Sequence, residues 1–148
     1  MAQRYETASD KINDLLRHVI ADKFISLSGS LIHVIMDTKK RMKGGNLVIA
    51  EIKKPSALMK YLFGTADGEL DYIIVMDELC ETLPDIDIKR IIFHELEHTD
   101  VDTDSDNPYK LRGHEIEGFY SELTYNEDDP KWSERIATTF ISIRESQE

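Results

Sequence analysis

The chain has 148 residues, a length typical of one domain with a substantial buried core, and 41% of them are hydrophobic. Its formal net charge of −11 repels nucleic-acid backbones and anionic membranes, so we expect neither as a partner. No apolar run reaches the roughly 18 residues of a transmembrane helix. A single cysteine, Cys80, and a polar N-terminus lacking a secretory signal predict a cytoplasmic protein.

The first half of the chain is predicted to contain both helices and strands. Apolar residues at helical spacing predict an N-terminal helix at about 7–22. β-Branched runs predict strands at 31–36 and 47–52, joined as a hairpin by the basic turn between them. A short helix at 55–63 and a third strand at 72–76 follow. Together these segments predict a small sheet of about three strands, mixed or antiparallel.

The second half of the chain is predicted to be mainly helical. Asp85 or Asp87 can cap a helix whose apolar residues recur at core-facing spacing. The acidic run that follows predicts a solvated loop, because it lacks the glycine and the glutamate of a calcium loop. Further helices are predicted from near Pro108 and at about 132–145. No repeat or linker divides the chain, which predicts a single domain.

The main chemical feature is the segment His94-Glu95-Leu96-Glu97-His98. Helix positions four apart lie on the same face, so the imidazoles of His94 and His98 can reach one metal ion. Glu95 can act beside them as the general base for water that the metal activates. Because the motif falls on a helix with one buried face, a metal site is favoured over a chance occurrence.

A catalytic zinc ion usually has a third protein ligand. The extended motif with glycine and histidine after the second histidine is absent, since Val101 and Asp104 stand there. His114 is favoured because a third imidazole completes the site, and Glu117 would then orient a histidine or tune the bound water. The two are one helical turn apart, so a site of two histidines and Glu117 stays open as the alternative.

Two segments of the chain resemble the phage metallopeptidases, which are small zincin-like proteins of phages and prophages. The first segment is 94–98, and the second is 111–119, with the sequence Leu-Arg-Gly-His-Glu-Ile-Glu-Gly-Phe. The spacing of the downstream histidine also resembles that of SprT-like proteases. The resemblance covers a core at about 30–132. It implies zinc and a minimal zincin-like α+β fold, with the sheet packed on the metal-binding helix and the surrounding helices. Glu115 and Gly118 depart from the usual aspartate and acidic residue, which leaves the proposed ligands intact.

The combined features favour a zinc-dependent hydrolase, specifically a peptidase with a protein or peptide substrate. One alternative is a zinc-stabilised, non-catalytic phage protein that binds a host protein, although such a site has no need of Glu95. Another is a regulator like the ImmA-type metalloproteases, which cleaves a repressor. Arg112, Tyr120 and Tyr125 are candidates to stabilise an oxyanion. The strand at 72–76 is the predicted edge for pairing with a peptide. The oligomeric state is left open.

Overall fold

A computed structural model describes residues 3–63, 68–113 and 120–147. The elements of the first half are β1 (Tyr5–Thr7), α1 (Asp10–Lys23), β2 (Ile32–Asp37), β3 (Met42–Lys43), β4 (Asn46–Leu47), β5 (Ala50–Lys53), α2 (Ala57–Phe63) and β6 (Tyr72–Asp77). Those of the second half are α3 (Asp85–Glu97), β7 (Thr99–Val101), β8 (Tyr109–Leu111), α4 (Tyr120–Tyr125) and α5 (Trp132–Ser146). The fold is a mixed α+β one, as predicted. No described helix is long and apolar enough to cross a membrane.

The main sheet has four strands in the order β1-β2-β6-β5. Strand β6 pairs in parallel with β2 on one side and antiparallel with β5 on the other. All six residues of β6 are buried, as expected for a central strand covered on both faces. The sheet is therefore mixed, and β1 adds one antiparallel strand beyond the predicted three.

The predicted hairpin between the second and third sheet segments is wrong. Strand β6 lies between β2 and β5, because its continuous apolar run can be buried from both sides only at the centre of the sheet. The basic turn instead forms its own antiparallel ribbon of β3 and β4. Gly44 and Gly45 close that ribbon with φ angles of 58° and 82°, a conformation that glycine adopts without steric cost.

The two faces of β6 enter two different apolar clusters. Ile74 and Met76 point into the larger cluster, with the buried faces of α1, α3 and α5. Ile73 and Val75 point to the opposite side, where Met59 of α2 covers them. This alternation follows from the two-residue period of a strand. Helix α3 therefore lies on the larger face, in contact with α1, α5 and strand β5.

Helix α3 carries the histidine motif, and its predicted apolar face is buried. Ile88 and Leu96 are both fully buried in the main core. The predicted aspartate cap is wrong, because Pro84 occupies the N-cap without a side-chain hydrogen bond. Asp87 is buried and pairs with Arg90 and Arg135 at 3.0 and 2.7 Å. Its carboxylate therefore serves the contact between α3 and α5, and the start of α3 has no side-chain cap.

The chain after α3 returns as a hairpin of β7 and β8. The helix predicted from near Pro108 is therefore wrong at its start, since Tyr109–Leu111 form a strand. Of the acidic run, Asp100 lies in β7, and Asp102, Asp104 and Asp106 lie in the connection that reverses the chain between the two strands. Tyr109 packs edge-on against Tyr72, with ring centroids 6.0 Å apart. The predicted C-terminal helix is present as α5.

Candidate metal centre

The end of α3 brings the motif residues together. His94 lies in the last turn, and His98 is the C-cap with helical backbone angles of φ −71° and ψ −15°. Their rings therefore lie on one face of the helix and meet edge to face, with centroids 5.3 Å apart and an angle of 79° between the ring planes. One potential ligand atom from each of His94, Glu95 and His98 lies within 4.8 Å of the others. Among the described residues these form the single group of three or more that could hold a metal ion.

His94 is held by a residue that the sequence pattern did not reveal. Its Nδ1 atom lies 2.7 Å from Oε1 of Glu122, which is buried on α4. A neutral imidazole that donates from Nδ1 to a carboxylate has its lone pair at Nε2. Burial lowers the pKa of His94, but the hydrogen bond to Glu122 and the neighbouring carboxylates raise it above its ordinary value overall.

The β7–β8 hairpin holds His98. The Nδ1 atom of His98 lies 2.8 Å from the carbonyl oxygen of Arg112, and the backbone N–H of Arg112 donates to the His98 carbonyl at 2.6 Å. The Arg112 guanidinium donates to the Glu97 carboxylate at 2.8 Å, which attaches the end of the hairpin to α3. Burial lowers the pKa of His98. The neutral ring that metal binding requires is therefore favoured.

Glu95 is a buried carboxylate, with 4% of its surface exposed. Burial raises its pKa to about 7, although the charge of His94 acts in the opposite direction. Among the described residues it forms no salt bridge. A carboxylate that changes protonation near neutral pH can both take and return a proton.

The geometry of the two histidines fits a zinc ion. Each Nδ1 atom has an acceptor, so each neutral ring presents Nε2 as its ligand atom. Imidazole nitrogens whose second ring nitrogen is held by a carboxylate or a carbonyl are typical zinc ligands. His114 and Glu117, the candidates for the third ligand, lie outside the described residues, as does Glu115.

Two cavities flank the centre. One of about 470 Å³ lies towards α4 and the start of α5, and one of about 320 Å³ lies towards the β7–β8 hairpin. His94, Glu95 and Ala50 line both of them. The site therefore lies midway along a groove that follows strand β5.

Strand β5 is the sheet edge that faces the groove, so the prediction of an edge at 72–76 is wrong. The Asp77 N–H donates to the Ile49 carbonyl at 2.7 Å, and Ala50 is opposite Met76. In an antiparallel pair, alternate residues bond to the partner strand, so the backbone groups of Ala50 and Ile52 point away from β6. No described strand pairs with this side of β5.

The three candidates for oxyanion stabilisation occupy different places. Arg112 lines the smaller cavity beside His98. Tyr125 stacks on Phe93, with ring centroids 3.9 Å apart, and lines neither cavity. Tyr120 begins α4, and its side chain is outside the described structure. Of the two described side chains, Arg112 is the one in the groove.

Comparison with known proteins gives one family. A family model described as "Putative phage metallopeptidase" matches residues 3–140, which is most of the chain. No curated protein matches the chain, and neither does any solved structure. Together with the clustered His94, Glu95 and His98, the extent of this match identifies the chain as a member of the putative phage metallopeptidase family.

Proposed function

We propose that this protein is a zinc-dependent peptidase in which Glu95 is the general base. The observation that carries the proposal is a buried carboxylate within 4.8 Å of two imidazoles that are both held at Nδ1. A purely structural zinc site has no use for such a carboxylate, because burying it costs free energy. A catalytic site uses it to move protons.

The proposed ligands are His94, His98 and His114, with Glu117 acting on a ligand or on bound water. A bound zinc ion would supply Lewis acidity, which lowers the pKa of water and polarises a carbonyl group. Glu95 would accept a proton from the attacking water and deliver it to the leaving amine nitrogen. Arg112, in the smaller cavity, is the proposed donor to the carbonyl oxygen of the substrate.

The proposed substrate is an extended segment of a protein or peptide. Strand β5 offers the outward N–H and C=O groups of Ala50 and the outward C=O of Ile52, which can pair with a peptide as an added strand, while the Ile52 N–H donates to the Glu95 carboxylate. A peptide bound there would pass Glu95 with side chains directed towards the two cavities. We further propose that the protein works in the cytoplasm as one domain, without nucleic acid or membrane as a partner.

The test compares protein cleavage in a bacterial lysate by zinc-loaded wild type and Glu95→Gln, read as new N-termini by mass spectrometry. We expect Glu95→Gln to retain zinc and to lose roughly 10²–10⁴-fold in rate, because an amide cannot accept the proton. Glu127→Gln, the same change at an exposed position, is the control and should cleave like wild type.

Equal cleavage by wild type and Glu95→Gln would show that Glu95 is not the base. If wild type cleaves nothing and instead retains a host protein, the non-catalytic binding function replaces this proposal. If wild type cleaves one repressor alone, the function is the narrower regulatory one.

A further inference from the structure

Asn126 lies immediately after α4 in the wall of the larger cavity. The residue is 2% exposed, and within the described structure neither Nδ2 nor Oδ1 of its side chain makes a hydrogen bond. Its backbone is well held, because its N–H donates to the Glu122 carbonyl at 2.8 Å and its carbonyl accepts from Asp129 at 3.0 Å. The unsatisfied group is therefore a side-chain amide on a fixed backbone.

A buried amide without partners is unfavourable, because it has lost its hydrogen bonds to water and gained none in exchange. Most buried polar side chains in proteins are paired, so an unpaired one requires an explanation, such as a partner from outside the chain. Leucine has the same number and branching of side-chain heavy atoms and would carry no such penalty. Asn126 already lines the cavity, and its side chain has two rotatable bonds, so its amide can turn towards a molecule that binds there.

The cavity defines which chemical group could meet that amide. Much of its wall is apolar and includes Leu47, Ile49, Ile91, Leu123 and Trp132. Three carboxylates, Glu95, Glu122 and Glu134, line the cavity against one cation, Lys131, and this balance disfavours an anion. A cation offers only donors, so it would leave Nδ2 of Asn126 without an acceptor. A neutral carboxamide offers one acceptor and a donor, and it satisfies both atoms at once.

We propose that Asn126 is a specificity-determining residue, whose carboxamide pairs with an amide of the peptide that enters the larger cavity. The amide is either the side chain of a glutamine or asparagine, or a main-chain amide of the peptide. That the bound molecule is a peptide rests on the proposed function. The pairing itself depends on the cavity and not on hydrolysis.

The test is an NMR titration of the zinc-loaded, ¹⁵N-labelled full chain with two neutral probes. N-acetyl-glutamine methylamide carries a side-chain amide, and N-acetyl-methionine methylamide has similar length and the same main-chain amides without it. Asn126→Leu removes the proposed partner, and Asn126→Ala is a second variant that adds no bulk. The control is Asn107→Leu, which replaces an exposed asparagine by leucine.

If Asn126 pairs with the side-chain amide, wild type and Asn107→Leu should bind the glutamine probe about tenfold tighter than the methionine probe. Both Asn126 variants should lose that preference. If Asn126 pairs with a main-chain amide, the two probes should bind wild type with equal affinity, and both should bind the Asn126 variants about tenfold more weakly than wild type. Unchanged affinities in the Asn126 variants, or no binding of either probe to wild type, would overturn the proposal. Because binding is measured directly, a protein without hydrolytic activity still gives a decisive answer.

Discussion

At the scale of single residues, the two histidines of α3 differ in what holds their Nδ1 atoms. Glu122, a carboxylate, holds His94, while the backbone carbonyl of Arg112 holds His98. A carboxylate makes the ring a more basic ligand than a carbonyl does, besides fixing its orientation. A side-chain change at Glu122 should therefore alter the affinity for zinc, whereas the support of His98 comes from the backbone.

Glu122→Gln should weaken zinc binding by about 10–100-fold, because the amide keeps the shape but loses the charge that supports His94. Competition with a chelator of known affinity measures the change. Glu127→Gln, an exposed neighbour in the chain, is the control. A zinc affinity equal to that of wild type in Glu122→Gln would show that the carboxylate does not support the ligand.

His114→Ala should release zinc to a dilute chelator, while Glu117→Ala should retain it with an affinity lowered by about 10–100-fold. The reason is that loss of a ligand removes a bond to the metal, whereas loss of a neighbouring group only changes how a ligand is held. The same chelator competition measures both variants. A larger loss of zinc affinity in Glu117→Ala than in His114→Ala would assign the ligand role to Glu117.

The residues that were predictable from sequence are those set by local geometry. His94, Glu95 and His98 could be identified because a helix fixes which positions share a face. Glu122 comes from a helix 28 residues further along the chain than His94, and no spacing rule connects the two. Asn126 was not predicted either, because a sequence does not show that a side-chain amide is buried without a hydrogen-bond partner.

At the scale of elements, helices were predicted better than strand order. The buried face of α3 follows from a period within one segment, and so does that of α5, where Ile136 and Phe140 are fully buried. Strand pairing depends instead on contacts between distant segments. The runs that became β2 and β5 look alike, and only the full burial of β6 reveals which strand is central.

The contact between α3 and α5 includes a charge cluster centred on the buried Asp87. Asp87 accepts hydrogen bonds from Arg135 at 2.7 Å and from Arg90 at 3.0 Å, and Arg90 also pairs with Asp128. The hydrogen bond from Arg135 holds the pKa of Asp87 below its ordinary value of 3.8 despite the opposing effect of burial. The folded state therefore binds a proton at Asp87 less readily than the unfolded state does.

Asp87→Asn should lower the free energy of unfolding at neutral pH by about 1.5–3 kcal/mol, because it removes the buried charge that both arginines contact, while Arg135 keeps Asp129 and Arg90 keeps Asp128 as partners. Since the folded pKa is the lower one, the contribution of Asp87 is complete above its unfolded pKa and is lost as the pH falls through its folded pKa. Urea unfolding measured between neutral pH and pH below 3.8 tests both points.

The two unfolding curves should converge in acid. Asp85→Asn, an exposed change in the same helical turn, should unfold like wild type throughout. A difference between wild type and Asp87→Asn that stays constant down to the lowest pH would contradict the role of the charge.

At the scale of the whole molecule, ion pairs attach both ends of the described chain to one end of the sheet. Arg4 pairs with Asp37 at 3.2 Å, and Arg144 of α5 pairs with Asp77 at 2.6 Å. Asp37 and Asp77 are opposite each other at the ends of the parallel strands β2 and β6. The first strand and the last helix are thus both fixed to the central strands, and α5 in turn packs on α3.

Everything proposed for the site depends on His94 and His98 holding one metal ion in this frame. An ion that binds the folded state alone adds to its stability. Elemental analysis after purification with zinc and dialysis is therefore the most direct measurement, with His94→Ala as the variant and His18→Ala, an exposed helical histidine, as the control. We predict about one zinc per chain in wild type and in His18→Ala, a lower thermal midpoint after chelation, and no zinc in His94→Ala. No bound zinc in wild type, or equal zinc in His94→Ala, would contradict the metal centre.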